Sequence, residues 1–320
     1  MPAAAPSLSA LPQCAGAVLM VRPAAFGFNP ETAASNAFQR DPDGEPPAAI
    51  AARARAEFDG VVQALRGEGI GVCVVEDTAD PPKPDAVFPN NWVSFHADGT
   101  LVTYPLASAS RRAERRAEVI EAVSGQLGFR TRRHLDLTAH EREGRFLEGT
   151  GSLVLDHRQR RAFACPSPRT DAGLVRSWAE ALGYEPVLFA ASDAQGRPYY
   201  HTNVCLWIGT QVAAVALESV AAADRARLLE SLAAPDRAVL ELTRREIAGF
   251  AGNMLELATW DEALGDARVL VLSQSARQAL APATYRRLAG AADNLLVVPV
   301  PTLERYGGGS VRCMLAEVFR

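Results

Sequence analysis

A cysteine acts as a nucleophile only as its thiolate, so it needs a base within reach and a backbone that lets a ligand come close. Cys313 has the second of these: it follows Gly307-Gly308-Gly309-Ser310-Val311-Arg312 near the end of a 320-residue chain. Glycines adopt backbone conformations closed to other residues and leave room for an approaching group. The chain has five histidines. His96 precedes the hairpin turn Ala97-Asp98-Gly99, and His134, His140 and His157 lie in charged segments that read as exposed. His201 differs, because it sits in the polar corner His201-Thr202-Asn203 and opens the apolar run Val204-Cys205-Leu206-Trp207-Ile208. An imidazole that moves protons needs a carboxylate to fix its tautomer. Glu148, between Phe146-Leu147 and Gly149-Thr150-Gly151, is an acid in apolar company, whereas Glu141 and Glu143 belong to a solvated run.

The elements that must position these residues alternate along the whole chain. Short apolar runs predict strands at 17–21, 70–75, 93–95, 100–104, 152–156, 162–164, 204–208, 212–216, 269–272 and 295–298. Helical spacing predicts helices at 48–67, 111–127, 172–182, 224–232 and 275–280, the last capped by Ser273 or Ser275, with Pro282 opening a further turn. This is an α/β pattern without a linker. Polar corners recur at roughly 50–60 residues, the size of one supersecondary unit. They are Phe88-Pro89-Asn90-Asn91-Trp92, Glu148-Gly149-Thr150-Gly151, His201-Thr202-Asn203, Gly252-Asn253-Met254 and Gly307-Gly308-Gly309. An array of similar modules would turn each corner toward one common site.

Composition narrows the function classes. With 48% hydrophobic residues and a net charge of −4, the chain has the makeup of a globular protein and no electrostatic reason to bind nucleic acid or membrane. The arginine cluster at 111–116, interleaved with Glu114 and Glu118, reads as a solvated helix face. No apolar stretch approaches a membrane span, and the first residues lack the order of a signal peptide. Residues 1–14 read as a disordered tail and 15–320 as one catalytic domain. Five scattered cysteines without CxxC or CxxH spacing argue against a disulfide framework and a zinc site, and suit a reducing cytoplasm. No cofactor is expected.

The set Phe146-Leu147-Glu148-Gly149, His201-Thr202-Asn203 and Gly307-Gly308-Gly309-Ser310-Val311-Arg312-Cys313, in that order, resembles the guanidino-group-modifying enzymes of the pentein superfamily. These include arginine deiminases, dimethylarginine dimethylaminohydrolases and amidinotransferases. The likeness extends to Phe88-Pro89-Asn90-Asn91, Ser110-Arg111-Arg112 and Pro166-Ser167-Pro168-Arg169-Thr170-Asp171. With the opening Met20-Val21-Arg22-Pro23-Ala24-Ala25-Phe26-Gly27-Phe28-Asn29-Pro30-Glu31-Thr32, the chain is most similar to the bacterial citrulline-utilisation hydrolases, or citrulline ureidases. The resemblance implies a five-bladed α/β propeller of ββαβ modules, the pentein fold. It implies Cys313 as nucleophile, His201 as general acid/base and Glu148 as orienting carboxylate. Arg169 and Arg111 would hold the α-carboxylate of an amino-acid substrate, and Asp85 its ammonium. Arg22, Asn29 and Asn36 belong to the stretch typical of the citrulline subgroup, with no role assigned.

The chain departs from the deiminase pattern at two places, where Asn91 and Asn203 replace the aspartates that grip a guanidinium. A buried guanidinium facing two amides lacks its counter-charges. The ureido group of citrulline is neutral, and an amide offers it complementary donors and acceptors. The expected function is therefore hydrolysis of L-citrulline to ornithine, ammonia and carbon dioxide through a thioester on Cys313. The alternatives are a deiminase-like or dimethylargininase-like activity on a guanidino substrate, and a non-catalytic binding protein of the same fold. The expected partner is a small amino acid, with a homodimer left open.

Overall fold

The computed structural model describes residues 11–261 and 265–319. Its strands in chain order are β1 (Ala17–Arg22), β2 (Gly71–Glu76), β3 (Val93–Phe95), β4 (Thr100–Thr103) and β5 (Arg133–Asp136). There follow β6 (Val154–Asp156), β7 (Arg161–Ala164), β8 (Glu185–Leu188), β9 (Leu206–Ile208) and β10 (Val212–Val215). The last are β11 (Ala238–Glu241), β12 (Leu255–Asp261), β13 (Gly265–Ser273), β14 (Asn294–Val298) and β15 (Ala316–Val318).

One unit recurs. β3 pairs antiparallel with β4, a helix crosses, and β5 returns parallel to β4. The same order holds for β6-β7-β8, β9-β10-β11 and β12-β13-β14. The fifth unit is made from both ends of the chain: β15 is antiparallel to β1, and β2 follows the helix Pro47–Gly67 to lie parallel to β1. Tying the two ends into one blade closes the ring, and this is the pentein α/β propeller. The fifth blade joins the first through Val318 opposite Phe95, making one six-stranded sheet of the two.

Each crossover helix packs an apolar stripe on its sheet. In Pro47–Gly67 the buried Ile50, Ala54, Phe58, Val61 and Leu65 follow helical spacing, and in Ala172–Leu182 Leu174, Val175, Trp178 and Leu182 do the same. Asp171 caps the second helix by accepting from Leu174 N at 2.8 Å, and Gly183 ends it with φ of 71°.

The expected helix 111–127 is broken. Ser110–Glu114 is a 3-10 turn, Arg115 is extended, and the α-helix starts at Ala117. Arg111 and Glu114 are buried and point inward, so the turn that carries them cannot continue the surface helix. Likewise Ser152 and Val204 close short helical turns before their strands. Of the tail expected over 1–14, residues 1–10 lie outside the described residues, but Gln13 and Cys14 are buried. Gln13 Nε2 donates to the carbonyls of Leu155 and Ile208 at 2.9 and 3.3 Å, stitching this segment to the inner strands of two blades. Among the described residues no helix is long and apolar enough to cross a membrane.

Candidate active site

The inner strand of every blade is preceded by one of the five polar corners, and the corners touch in sequence around the axis. Thr150 Oγ1 donates to Asn90 O at 3.5 Å, Asn203 Nδ2 to Thr150 O at 3.3 Å, and Asn253 Nδ2 to Asn203 O at 3.3 Å. Asn253 Nδ2 also lies 3.3 Å from Cys313 Sγ, and the turn Val311–Met314 that carries Cys313 packs against Pro89–Asn91. Gly151 shows how tight the ring is. A Cβ there would stand 2.6 Å from both Asn91 Nδ2 and His201 Nδ1, so only glycine lets these two groups share that space.

The Gly307-Gly308-Gly309 run is buried and ordered. Gly308 takes φ of +63° to end the helix Pro301–Gly307, a left-handed cap that glycine supplies at no steric cost. The freed carbonyls are held by side chains: Gly307 O accepts from Gln39 Nε2 at 3.0 Å, and Gly308 O from Tyr200 Oη at 2.7 Å and Asn36 Nδ2 at 3.3 Å. Cys313 is thereby placed at the wall of a narrow cleft, lined also by Asp85, Asn91, Arg111, Arg169 and His201.

Glu148 is fully buried and gathers the charges of the site. Its Oε2 lies 2.8 Å from His201 Nε2, 3.5 Å from Arg169 Nη1 and 3.8 Å from Arg111 Nη1, while Oε1 accepts from Ala107 N at 3.0 Å. Burial favours the protonated acid, but Arg169, the His201 hydrogen bond and Arg111 outweigh it and hold the carboxyl well below its ordinary range. Burial pushes the His201 imidazole down to about 4, with Glu148 offsetting part of the shift. His201 is therefore neutral near pH 7, with Nε2–H donated to Glu148 and the Nδ1 lone pair left free.

The two arginines are committed. Arg111 Nε and Nη2 both reach Glu114, at 2.9 Å each, and Nη1 donates to Asn91 Oδ1 at 2.8 Å. This corrects the solvated-face reading of the 111–116 cluster: Arg111 is 2% exposed and Glu114 is its buried partner. Asn91 Nδ2 donates one N–H to Asn90 Oδ1 at 3.2 Å and keeps the other, and the residue lines the cleft. Arg169 donates through Nε to Ser35 Oγ at 2.9 Å and through Nη2 to Thr32 O at 2.7 Å, and its guanidinium lies over the Tyr200 ring. Asp85 Oδ2 accepts from Asn29 Nδ2 at 2.7 Å and Thr32 Oγ1 at 3.2 Å. Asn203 does not line the cleft; it lies behind the sulfur, with Nδ2 3.5 Å from Cys313 Sγ.

Three neighbours escaped the sequence reading of the site. Asn253 sits in a recognised corner yet had no role, although its amide touches the thiol. Gln39 and Thr32 come from the segment 29–39, which straps the cleft and explains Asn29 and Asn36. Arg22, by contrast, forms a paired ion bridge with Asp59 away from the site, both contacts at 2.7 Å. His157, expected in an exposed segment, is buried, with Nδ1 2.7 Å from Tyr184 Oη. Only the neighbouring aromatic Tyr184 and Phe319, distant in sequence, account for that burial.

Residues 22–320 match the sequence model of the family described as N,N dimethylarginine dimethylhydrolase, eukaryotic. No curated protein sequence matches the chain significantly. Among solved structures, ArgZ, a cyanobacterial arginine dihydrolase of the ornithine-ammonia cycle, superposes with TM-score 0.71 at 17% identity, covering 94% of this chain and 40% of that one. The chain thus spans about two fifths of ArgZ; the substrate-bound N-terminal domain of ArgZ is covered to 97%, with TM-score 0.69 and 18% identity. A dimethylarginine dimethylaminohydrolase carrying an S-methyl-L-thiocitrulline adduct superposes with TM-score 0.64 at 15% identity, over 94% of this chain and 98% of that one. These likenesses establish the fold, and the family match adds lineage: the chain belongs to the N,N dimethylarginine dimethylhydrolase family of the pentein superfamily of guanidino-modifying enzymes.

Proposed function

We propose that the protein is a cysteine-dependent hydrolase of C–N bonds that acts on the ureido group of L-citrulline, releasing ornithine, ammonia and carbon dioxide. The observation that carries this reading is the orientation of Asn91. Its carbonyl oxygen is held by the Arg111 guanidinium at 2.8 Å and one of its N–H groups by Asn90 Oδ1 at 3.2 Å, which leaves one N–H for the cleft that Asn91 lines, with a cation behind it. A substrate carbonyl oxygen suits that donor. A guanidinium would meet a second cation there, and an uncompensated buried charge costs on the order of 3–5 kcal/mol.

The steps follow from the residues. Cys313 loses its proton to His201 Nδ1, and the thiolate attacks the ureido carbon; the amides of Asn203 and Asn253, 3.5 and 3.3 Å from Sγ, support the sulfur charge. The carbonyl oxygen becomes an oxyanion beside Asn91 Nδ2–H. The imidazolium of His201, steadied by Glu148, protonates the departing nitrogen, which cannot leave as an amide anion. If ornithine leaves, a carbamoyl thioester remains; water attacks it with His201 as base, the thiolate departs, and carbamate breaks down to ammonia and carbon dioxide. Loss of ammonia first gives the same products. Arg169 keeps one N–H on each terminal nitrogen, and Arg111 one on Nη1, for the substrate carboxylate, and Asp85 supplies a counter-charge for its ammonium.

A second reading is hydrolysis of a guanidino amino acid, favoured by the family and by the arginine dihydrolase fold of ArgZ. Purified protein given L-citrulline, L-arginine or dimethylarginine separates the two. Ornithine from citrulline at the highest kcat/KM is expected; turnover of a guanidino substrate with none of citrulline overturns the ureidase reading.

A further inference from the structure

We propose that Gln39 determines specificity for an α-amino acid by accepting a hydrogen bond from the substrate's ammonium group. The inference rests on the proposed function only in taking the substrate to be an α-amino acid, ureido or guanidino. Gln39 belongs to the strap of residues 29–39 and is 7% exposed, yet it lines the cleft. Its Nε2 is fixed by two acceptors, Thr32 Oγ1 at 2.9 Å and Gly307 O at 3.0 Å. A carbonyl oxygen can only accept, so Gly307 O decides which end of the amide is nitrogen. The other end, Oε1, is buried without a hydrogen-bond partner.

A buried acceptor is rarely left unmatched in a folded protein, and in a cleft its missing partner is a ligand donor. The donor that fits is a cation with several N–H groups. Asp85, on the same cleft, accepts through Oδ2 from Asn29 and Thr32, and among the described residues nothing donates to its Oδ1. Thr32 links the two acceptors, since its Oγ1 receives Gln39 and lies 3.2 Å from Asp85. An ammonium between Gln39 Oε1 and Asp85 Oδ1 satisfies both, with Asp85 giving the charge and Gln39 the direction. Arg111 and Arg169 cannot serve here because they carry no acceptor.

The test compares wild type with Gln39→Leu, which removes the acceptor, and Gln39→Glu, which keeps it but loses Nε2–H. Each is assayed on whichever of L-citrulline or L-arginine the wild type turns over. The matching acid without the α-amino group, 5-ureidopentanoate or 5-guanidinopentanoate, is measured as a competitive inhibitor. Gln39→Leu is expected to raise KM about tenfold, with any fall in kcat shared by Gln39→Glu because both lose the Nε2 bond to Gly307 O, and to leave inhibition by the des-amino acid unchanged. Gln39→Glu is expected to keep KM near that of wild type. Equal losses in both variants would mean that only the Nε2 contacts of the strap matter, and equal weakening of the des-amino acid would mean that the ammonium is not read by Gln39; either overturns the proposal. Wild type inert toward both amino acids would remove the proposed function and this inference together, whereas the preceding outcomes remove the inference alone.

Discussion

His201 and His157 are both buried imidazoles: His201 stands in the corner before β9 and touches the corner before β6, and His157 follows β6. Burial pushes both down, His157 to about 3 and His201 to about 4. Their partners differ. His157 meets the Tyr184 hydroxyl at 2.7 Å and the Phe319 ring, whereas His201 meets the ionised Glu148 at 2.8 Å and borders a cleft. A hydroxyl can fix a ring in place, but only a carboxylate also stabilises the imidazolium that a proton shuttle must pass through. Buried histidine is therefore a structural feature by default, and the acid beside it marks the exception.

Exchanging the two roles breaks the comparison most sharply. His201→Ala is expected to lower kcat by about 10²–10⁴-fold, the usual range for a lost general acid/base. His157→Phe is expected to leave kcat within about twofold and to lower stability by about 1–3 kcal/mol, since the Tyr184 hydroxyl loses its partner. Steady-state kinetics and denaturant unfolding check both. A His157 variant that loses activity while remaining folded would erase the distinction.

Glu148→Gln removes the carboxylate and keeps the shape. A loss of about 10²–10⁴-fold in kcat is expected, with Tyr184→Phe as the silent counterpart at His157. Circular dichroism must show both folded, and a near-active Glu148→Gln would contradict the role given to the acid.

Asn91→Asp alone sharpens the selectivity argument, because Asn203 stands behind the sulfur and not on the cleft. Citrulline kcat/KM is expected to fall by about tenfold or more, while arginine or its analogues gain as inhibitors. Unchanged preference in competition assays would place selectivity elsewhere.

The smallest effect is the pH dependence of stability. His96 and His201 are held at about 4 and His157 at about 3, against an ordinary 6.5. Between pH 6.5 and about 4 the unfolded chain binds protons at these rings and the folded chain does not, so stability is lost as pH falls through that window. Unfolding free energy at pH 7 should exceed that at pH 5, and His157→Phe should flatten the difference. Burial pushes Glu114 up to about 7, which acts in the opposite sense over this window, so the histidine contribution is read as the difference between wild type and His157→Phe; identical pH dependence in the two would contradict the burial of His157.

The sequence shows the middle strand of every blade, β1, β4, β7, β10 and β13, better than the strands on either side, of which β12 and β15 among the inner ones were not expected. β1 through Val21 and β10 are continuous apolar runs because both faces are buried, and both were expected. β5, β8 and β11 are third strands of their blades, each with a single buried or half-buried pair at most, and their apolar stretches are too short or too interrupted to read. β15, Ala316-Glu317-Val318, was missed because a charged residue interrupts a run of only three. At the site, Cys313, His201 and Glu148 stood out by type and local company. Glu114 and Gln39 did not, because their meaning comes from Arg111 and from the carbonyl of Gly307, contacts that only the closed ring creates.

The central claim is that Cys313 attacks a neutral ureido carbon. Intact mass spectrometry of protein quenched during turnover of L-citrulline, with peptide mapping, reads that step directly. A carbonyl thioester on Cys313, carbamoyl or alkylcarbamoyl, is the expected result, absent in Cys313→Ser. An amidino adduct formed from arginine, with none from citrulline, would contradict it.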